Sequence, residues 1–562
     1  MQNDITELRK FAQLSRKLQN FTLFLAEGDE KEQQPGIGTS NVNPLDKGEY
    51  FMKPKGLKIG AMVSAAAIAF TAFQLIGAPP AVHAAASYYV STSGSDSNAG
   101  TSTGSAFKTL QKAANTAGPG DTVYVLAGTY NQKLKITNSG TSSAPITFRN
   151  YNTDVAVIDG TGLSVSGMEG IVQITNASNI KVQGFEIRNY KTSTNGNAAV
   201  GIFATGAGSN VEIRNNNVHH IASTATPTGS DREGRDAHGI AVYGTSTTSW
   251  SNVTVDGNTL NNLTLGSSEA LVLNGNVDGF SVTNNAIHHS DNIGIDIIGF
   301  EGKAPNSSLD QARNGVVSGN NIYNVSVQGN PSYPSTDYSA GGIYVDGGKN
   351  VVIERNRSYN NDIGIEVASE WPTKSTSFIT VRNNLVHNNS YTGIAIGGYD
   401  TQRGSTTDSK IVNNTLYNND LVGQEGGQLL IQFDTKNNII KNNILVASSS
   451  KILIQNQFTQ NSGNVVDYNL YYGVGGTSGL TWNWKTSGYT NFSTYKSSTG
   501  NDAHSIVANP QLASPTTNFT LNTGSPAINT GNTDTSIIGS TDLAGNARVL
   551  GGIVDIGAYE KQ

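Results

Sequence analysis

The chain has 562 residues, 63 of them Gly and none Cys, with 14 % charged and a formal net charge of −6. Without Cys no disulfide can contribute stability, and an acidic balance with no basic run excludes nucleic acid as a partner. The same balance opposes a polyanionic substrate, which would need a cation or a local Lys/Arg cluster to bind.

In chain order, residues 1–51 are polar and charged and resemble nothing downstream. Lys47-Gly48-Glu49 can be encoded by a purine run of the kind a ribosome binds, so translation is expected to start at Met52. Residues 52–84 read as a signal peptide: the basic stretch Met52 to Lys58, an apolar stretch from Ile59 to Gly77, and Val82-His83-Ala84 as a small-residue cleavage site. A single membrane anchor is the alternative. The expectation is a secreted, extracellular monomer with no stable membrane association.

The mature chain then opens with a strand at Tyr88-Tyr89-Val90-Ser91. Phe107, Leu110, Ala113 and Ala114 are at helical spacing within Ala106 to Ala117. That short helix is expected to cover the exposed strand edges of a first coil. Gly118-Pro119-Gly120-Asp121 ends it before the strand Thr122-Val123-Tyr124-Val125.

Further on, an Asn recurs three residues after a β-branched residue: Asn216, Asn258, Asn285, Asn320, Asn356, Asn384, Asn414 and Asn443. The intervals are 42, 27, 35, 36, 28, 30 and 29 residues. A floor near this length with occasional excess is the signature of a solenoid with variable loops. The Asn is expected at a tight corner where left-handed backbone is tolerated, its amide bonded between coils.

A second strand series runs beside it, at Gly239, Glu269, Gly294, Gly342, Gly364, Gly393 and Gln428. Alternation places Ile240, Ala270, Ile295, Ile343, Ile365, Ile394 and Leu429 inward. The predicted fold is all-β: a right-handed parallel β-helix over 85–480, with a short N-terminal capping helix. Residues 481–562 differ in composition and read as a C-terminal cap on the final coils, or as a carbohydrate-binding module. An antiparallel sandwich would need turns every 8–12 residues.

The outward positions then become Ala241, Leu271, Asp296, Tyr344, Glu366, Ala395 and Leu430, and two residues on, Tyr243, Leu273, Ile298, Asp346, Ala368, Gly397 and Gln432. Carboxylates and tyrosines concentrate on three consecutive coils, with Glu269, Asp291, Glu301 and Glu370 flanking them. Like charges on strands about 4.8 Å apart repel unless a cation, a proton or a substrate offsets them. The long loops gather here too, bringing Trp371, Tyr399 and Arg403, aromatic and basic groups suited to sugar rings and hydroxyls. Arg235 and His238, in a polar stretch before the Gly239 strand, are further candidates for binding a uronate. Paired charges on a surface loop would equally explain that stretch.

The opening, Tyr88 to Gly100 through Phe107 to Ala113 and Gly118 to Tyr130, resembles secreted right-handed parallel β-helix proteins. It is most similar to polysaccharide lyase family 9, which includes pectate lyases and a thiopeptidoglycan lyase. The resemblance implies β-elimination in an extracellular, uronate-containing acidic polysaccharide such as pectate or a bacterial sheath thiopeptidoglycan. It also implies a calcium ion, with Glu269, Asp291 and Asp296 as its ligands; the family's paired aspartates correspond to Asp291 and Asn292, a departure. For a base it points to Lys303, with Arg313 as a carboxylate clamp, because Arg hardly deprotonates; Tyr344 is a second proton-transfer candidate. Asp346, Glu366, Glu370, Trp371, Tyr399 and Arg403 would line the substrate. A glycoside hydrolase using Asp296 with Asp346 or Glu366, or a non-catalytic surface β-helix, are the rival readings.

Overall fold

The computed structural model describes residues 84–230 and 232–562. The upstream segment and the segment expected to be a signal peptide, apart from Ala84, lie outside the described residues. Among the described residues no helix is long and apolar enough to cross a membrane.

Three parallel sheets run the length of a right-handed β-helix. The first extends from the strand Ser87–Val90 to Val465–Asp467, the second from Gly128–Tyr130 to Ile506–Val507, and the third from Leu134–Ile136 to Thr481–Trp484. Each coil contributes one strand to each sheet in that order. The helix Leu110–Thr116 buries Leu110, Ala113 and Ala114 on the first coil, as their spacing predicts.

Inside the third sheet, Ile240 pairs with Leu271, which pairs with Ile295, and the column continues through Ile343, Ile365, Ile394 and Leu429. All are fully or almost fully buried. Each such aliphatic side chain contributes about 1.5–3 kcal/mol, so the stacked columns supply most of the driving force. The register corrects one expectation. Leu271, not Ala270, is the inward partner of Ile295, so Leu271 and Leu273 point inward while Val272 and Asn274 point out. Ala270 holds the place that glycine fills in neighbouring coils.

The Asn column is buried at the turn between the first and second sheets. The left-handed backbone belongs to the residue before each ladder Asn, namely Asn215, Gly257, Asn284, Gly319, Arg355, Asn383, Asn413 and Asn442. The ladder Asn itself points inward. Asn320 shows the pattern: its Nδ2 donates to Asn356 Oδ1 at 3.0 Å and to Val282 O at 2.9 Å, and its Oδ1 accepts from Asn285 N at 2.9 Å and Asn285 Nδ2 at 3.0 Å. Every donor and acceptor of the amide is used.

At the far end, the helix Phe492–Thr499 sets Tyr495 against Trp482, ring centroids 5.9 Å apart, and covers the last coil. The remaining tail turns back along the flank. Asn383 Nδ2 donates to Ile538 O at 2.9 Å, Asn413 Nδ2 to Asp555 O at 3.0 Å, and Asn442 Nδ2 to Asn532 O at 3.0 Å. Segment 481–562 thus covers the end of the helix and also straps the side of earlier coils.

Asn320→Asp keeps the shape but removes both Nδ2 donors and sets oxygens against Asn356 Oδ1 and Val282 O. A loss of about 3–5 kcal/mol is expected, read as a lower denaturation midpoint in urea.

Candidate active site on the third sheet

Along the outer face of the third sheet, Ala241, Val272, Asp296, Tyr344, Glu366, Ala395 and Leu430 fall in one register column. Two residues further along the strands come Tyr243 and Asn274, then Ile298, and on later coils Asp346 and Ala368. Apolar positions therefore flank a polar centre on both sides.

Two loop walls border this face. On one side Asp362 holds the ends of the segment 326–340, accepting from Ser326 Oγ at 2.7 Å, Val327 N at 2.9 Å and Ala340 N at 3.2 Å. Within that segment Asn330 Nδ2 donates to Gly266 O at 2.7 Å, and Tyr333 O accepts from Arg232 Nη1 at 2.8 Å, so loops of three coils lean on one another. On the other side Asp310 gathers Gly302 N, Lys303 N and Ala304 N at 2.5, 3.1 and 2.9 Å, fixing the turn that carries Lys303. Further along this side, Gly404 N donates to Ser369 O at 2.8 Å and joins the turns bearing Trp371 and Arg403.

The centre is Asp296. It is 2 % exposed, and its Oδ1 makes no hydrogen bond. Burial, then the charges of Glu269, Asp346, Glu301 and Glu370, push its carboxyl well above the usual range, favouring the protonated form. Tyr344 is raised by burial and by Asp346, Glu370 and Glu366, and its hydroxyl donates to Glu370 Oε1 at 3.4 Å. Asp346 Oδ1 accepts from Glu370 N at 2.7 Å. Lys303 Nζ is 3.8 Å from Glu301 Oε2, and Glu301 also accepts from Asn274 at 2.8 Å. His238 is buried beside Glu269, and desolvation pushes its pKa down to about 4.

The structure thus brings together Glu269, Asp296, Lys303, Tyr344, Asp346, Glu366, Glu370 and His238. Trp371, Tyr399 and Arg403 stand in the turns beyond Glu370, with the Arg403 guanidinium 4.8 Å from the Tyr399 ring centre and 3.7 Å from Asp400. Three expected residues lie elsewhere. Arg313 is on the first sheet, paired with Asp278 at 3.0 Å and donating to Asn276 Oδ1 at 3.0 Å. Arg235 is buried in the loop wall, donating to Ala225 O at 2.9 Å. Asp291 is in the turn between the second and third sheets, its Oδ1 accepting from Leu265 N.

That placement bears on calcium. Glu269 acts on Asp296, whereas Asp291 stands in the turn before that strand, and among the described residues no group of three His, Cys, Asp or Glu is arranged to hold a metal ion. The residues do not fit the three-acid set implied by the resemblance, and no step is drawn through a metal. Tyr243 and Asn274 join the cluster without having been singled out. Tyr243 was legible in the outward column, whereas the one-residue register difference hid Asn274.

A family model described as Pel9A-like, right handed beta helix region, matches residues 88–294, and one described as Disaggregatase related matches 277–429. The fold and face define a pectate-lyase-like right-handed β-helix protein. The chain is 45 % identical over 441 residues to the uncharacterized protein YwoF of Bacillus subtilis (strain 168), spanning 78 % of this chain and 91 % of that one, and it belongs to the same family. It is 30 % identical over 167 residues to pectate lyase PEL9 of Emericella nidulans, 28 % of this chain and 38 % of that one. The crystal structure of pectate lyase Pel9A superposes with a TM-score of 0.46 at 17 % identity, covering 85 % of this chain and 96 % of that one.

A carboxyl whose folded pKa is raised binds its proton more tightly when folded, so stability falls as pH rises from about 4 through the folded value. Asp296 and Asp362, the latter pushed up to about 7, both act in this sense. Asp296→Asn is therefore expected to raise the thermal midpoint at pH 8 while leaving it nearly unchanged at pH 4. Thermal unfolding followed by circular dichroism at both pH values would show this.

Proposed function

We propose that this chain is a secreted polysaccharide lyase that cleaves a uronate-containing acidic polysaccharide by β-elimination. The observation that carries the reading is Asp296: a buried carboxyl with an unused oxygen, its pKa raised by burial and by neighbouring acids, on a face bordered by the turn that carries Lys303.

β-Elimination requires that the uronate carboxylate be neutralised, that a base remove the proton on C5, and that the 4-oxygen depart. A protonated Asp296 can donate its hydrogen to the substrate carboxylate and follow the charge that builds there as the C–H bond breaks. It does so where an ionised acid would repel the substrate. Lys303, held by the Asp310 turn, is the proposed base. Trp371 and Tyr399 extend the binding face, their rings suiting the faces of neighbouring sugars, while the buried Arg403 holds the Tyr399 ring from behind.

The same Asp296, its pKa raised beside Asp346 and near Glu366, favours a second reading, glycoside hydrolysis with Asp296 as general acid. The two differ in what Asp296 must give up. A lyase needs only a neutral hydrogen-bond donor there, while a hydrolase needs a transferable proton.

Tested against a panel of acidic polysaccharides, with calcium and with chelator, the protein is expected to form products absorbing in the near ultraviolet in step with new chain ends. Asp296→Ala should lose about 100-fold or more in rate, whereas Asp296→Asn should stay within about tenfold of the parent. Reducing ends without absorbance, together with an inactive Asp296→Asn, would replace elimination with hydrolysis.

A further inference from the structure

The outer face holds one more polar group that the scheme above leaves without a task. Tyr243 lies on the strand Asp236–Gly244, two coils before Asp296, and is half-buried. Its ring meets Phe203 edge-on at 5.7 Å and His238 at 6.1 Å, and Lys303 Nζ is 5.7 Å from the ring centre. Because Asp310 fixes the backbone of Lys303, this approach is set by the turn and not only by a long flexible side chain. Burial and the charges of Glu269 and Glu301 keep the Tyr243 hydroxyl protonated, its pKa raised well above the ordinary value. The Tyr243 hydroxyl is hydrogen-bonded to the Asn274 side chain, whereas that of Tyr344 is directed to Glu370.

His238 completes the setting. Its Nδ1 is 3.2 Å from the Glu269 carbonyl oxygen, which can only accept, so the ring proton is on Nδ1. Desolvation keeps the ring neutral, so it packs against Tyr243 without adding a charge there.

Resting on the β-elimination reading, we propose that Tyr243 is the catalytic proton donor to the departing glycosidic oxygen, acting as a pair with Lys303. The Lys303 amine takes the proton from C5, and the electrons of that C–H bond form the C4–C5 double bond. The C4–O4 bond breaks, and O4 takes the proton from Tyr243 Oη. The tyrosinate then recovers a proton from the neighbouring Lys303 ammonium, which returns both groups to their starting forms without a co-reactant. A phenol suits this task because it gives up its proton only as the oxygen becomes strongly basic.

The test compares the full chain with Tyr243→Phe and Lys303→Ala on two substrates: polygalacturonate, and a uronide carrying 4-nitrophenol at O4, a leaving group that departs without protonation. On the polymer, Tyr243→Phe is expected to lower kcat by about 100-fold or more, with KM within about threefold. On the nitrophenyl uronide it should recover to within about fivefold of the parent while Lys303→Ala stays inactive. That recovery also shows that the variant is folded. If Tyr243→Phe keeps the parent's kcat on the polymer, or loses equally on both substrates, the assignment is overturned and elimination still stands. If the parent yields no unsaturated product from either substrate, elimination falls and this assignment falls with it.

Discussion

The buried amide ladder between the first and second sheets is the constraint on which the rest of the molecule depends. A backbone turn inside a solenoid leaves N–H and C=O groups facing a dry core, where each unpaired group costs about 1–3 kcal/mol. The ladder Asn meets that demand from within. One side chain bonds the turn of the coil before it and the amide of the coil after it, as Asn258 does with Asn216 and Asn285. Left-handed backbone one residue earlier is what turns the amide inward. The residue pair works as a unit: the first bends the chain and the second satisfies it.

A scaffold satisfied in this way can carry a site that is not. Six carboxylates, Glu269, Asp296, Glu301, Asp346, Glu366 and Glu370, occupy neighbouring positions on the outer face, and Asp296 is held there against desolvation and repulsion together. Solenoid stability is a sum over neighbouring coils, so the cost is spread along the ladder and the aliphatic column behind it. What the cluster gains is a carboxyl whose pKa is raised well above that of an ordinary aspartate.

How much of this the sequence discloses follows from which interactions repeat. The ladder from Asn216 to Asn443 and the inward Ile and Leu positions recur coil after coil, so periodicity exposes them, and the acid-bearing coils stand out against that background. Two features escape. In the second strand series Glu269 aligns by pattern with the Gly that opens most neighbouring segments, and only the hydrogen-bonded register shows that Ala270 takes the glycine place. Asp291 and Arg313 lie close to Asp296 along the chain, but a coil turns through three faces within that distance. Asp291 falls before the third sheet and Arg313 beyond it, on the first. Proximity in sequence says little about which face of a solenoid a side chain reaches.

The lengths of the intervals carry a further point. From Asn216 to Asn258 the chain runs 42 residues, from Asn258 to Asn285 only 27, and from Asn320 to Asn356 it runs 36, yet the backbone N to Oδ1 distance is 2.9 Å in all three. Loop length is thus uncoupled from coil spacing, because the ladder fixes each coil on its neighbour whatever the chain does between rungs. The entropy of a longer loop grows only slowly with length, and the anchoring carboxylates Asp310 and Asp362 limit it further by gathering backbone amides at the loop ends. Insertions can therefore accumulate beside the third sheet without moving Asp296 or Tyr344 out of register. The same loops can set Lys303 beside Tyr243 and Trp371 beyond Glu370. In this architecture the repeat determines where the acids stand, and the departures from the repeat determine what stands next to them.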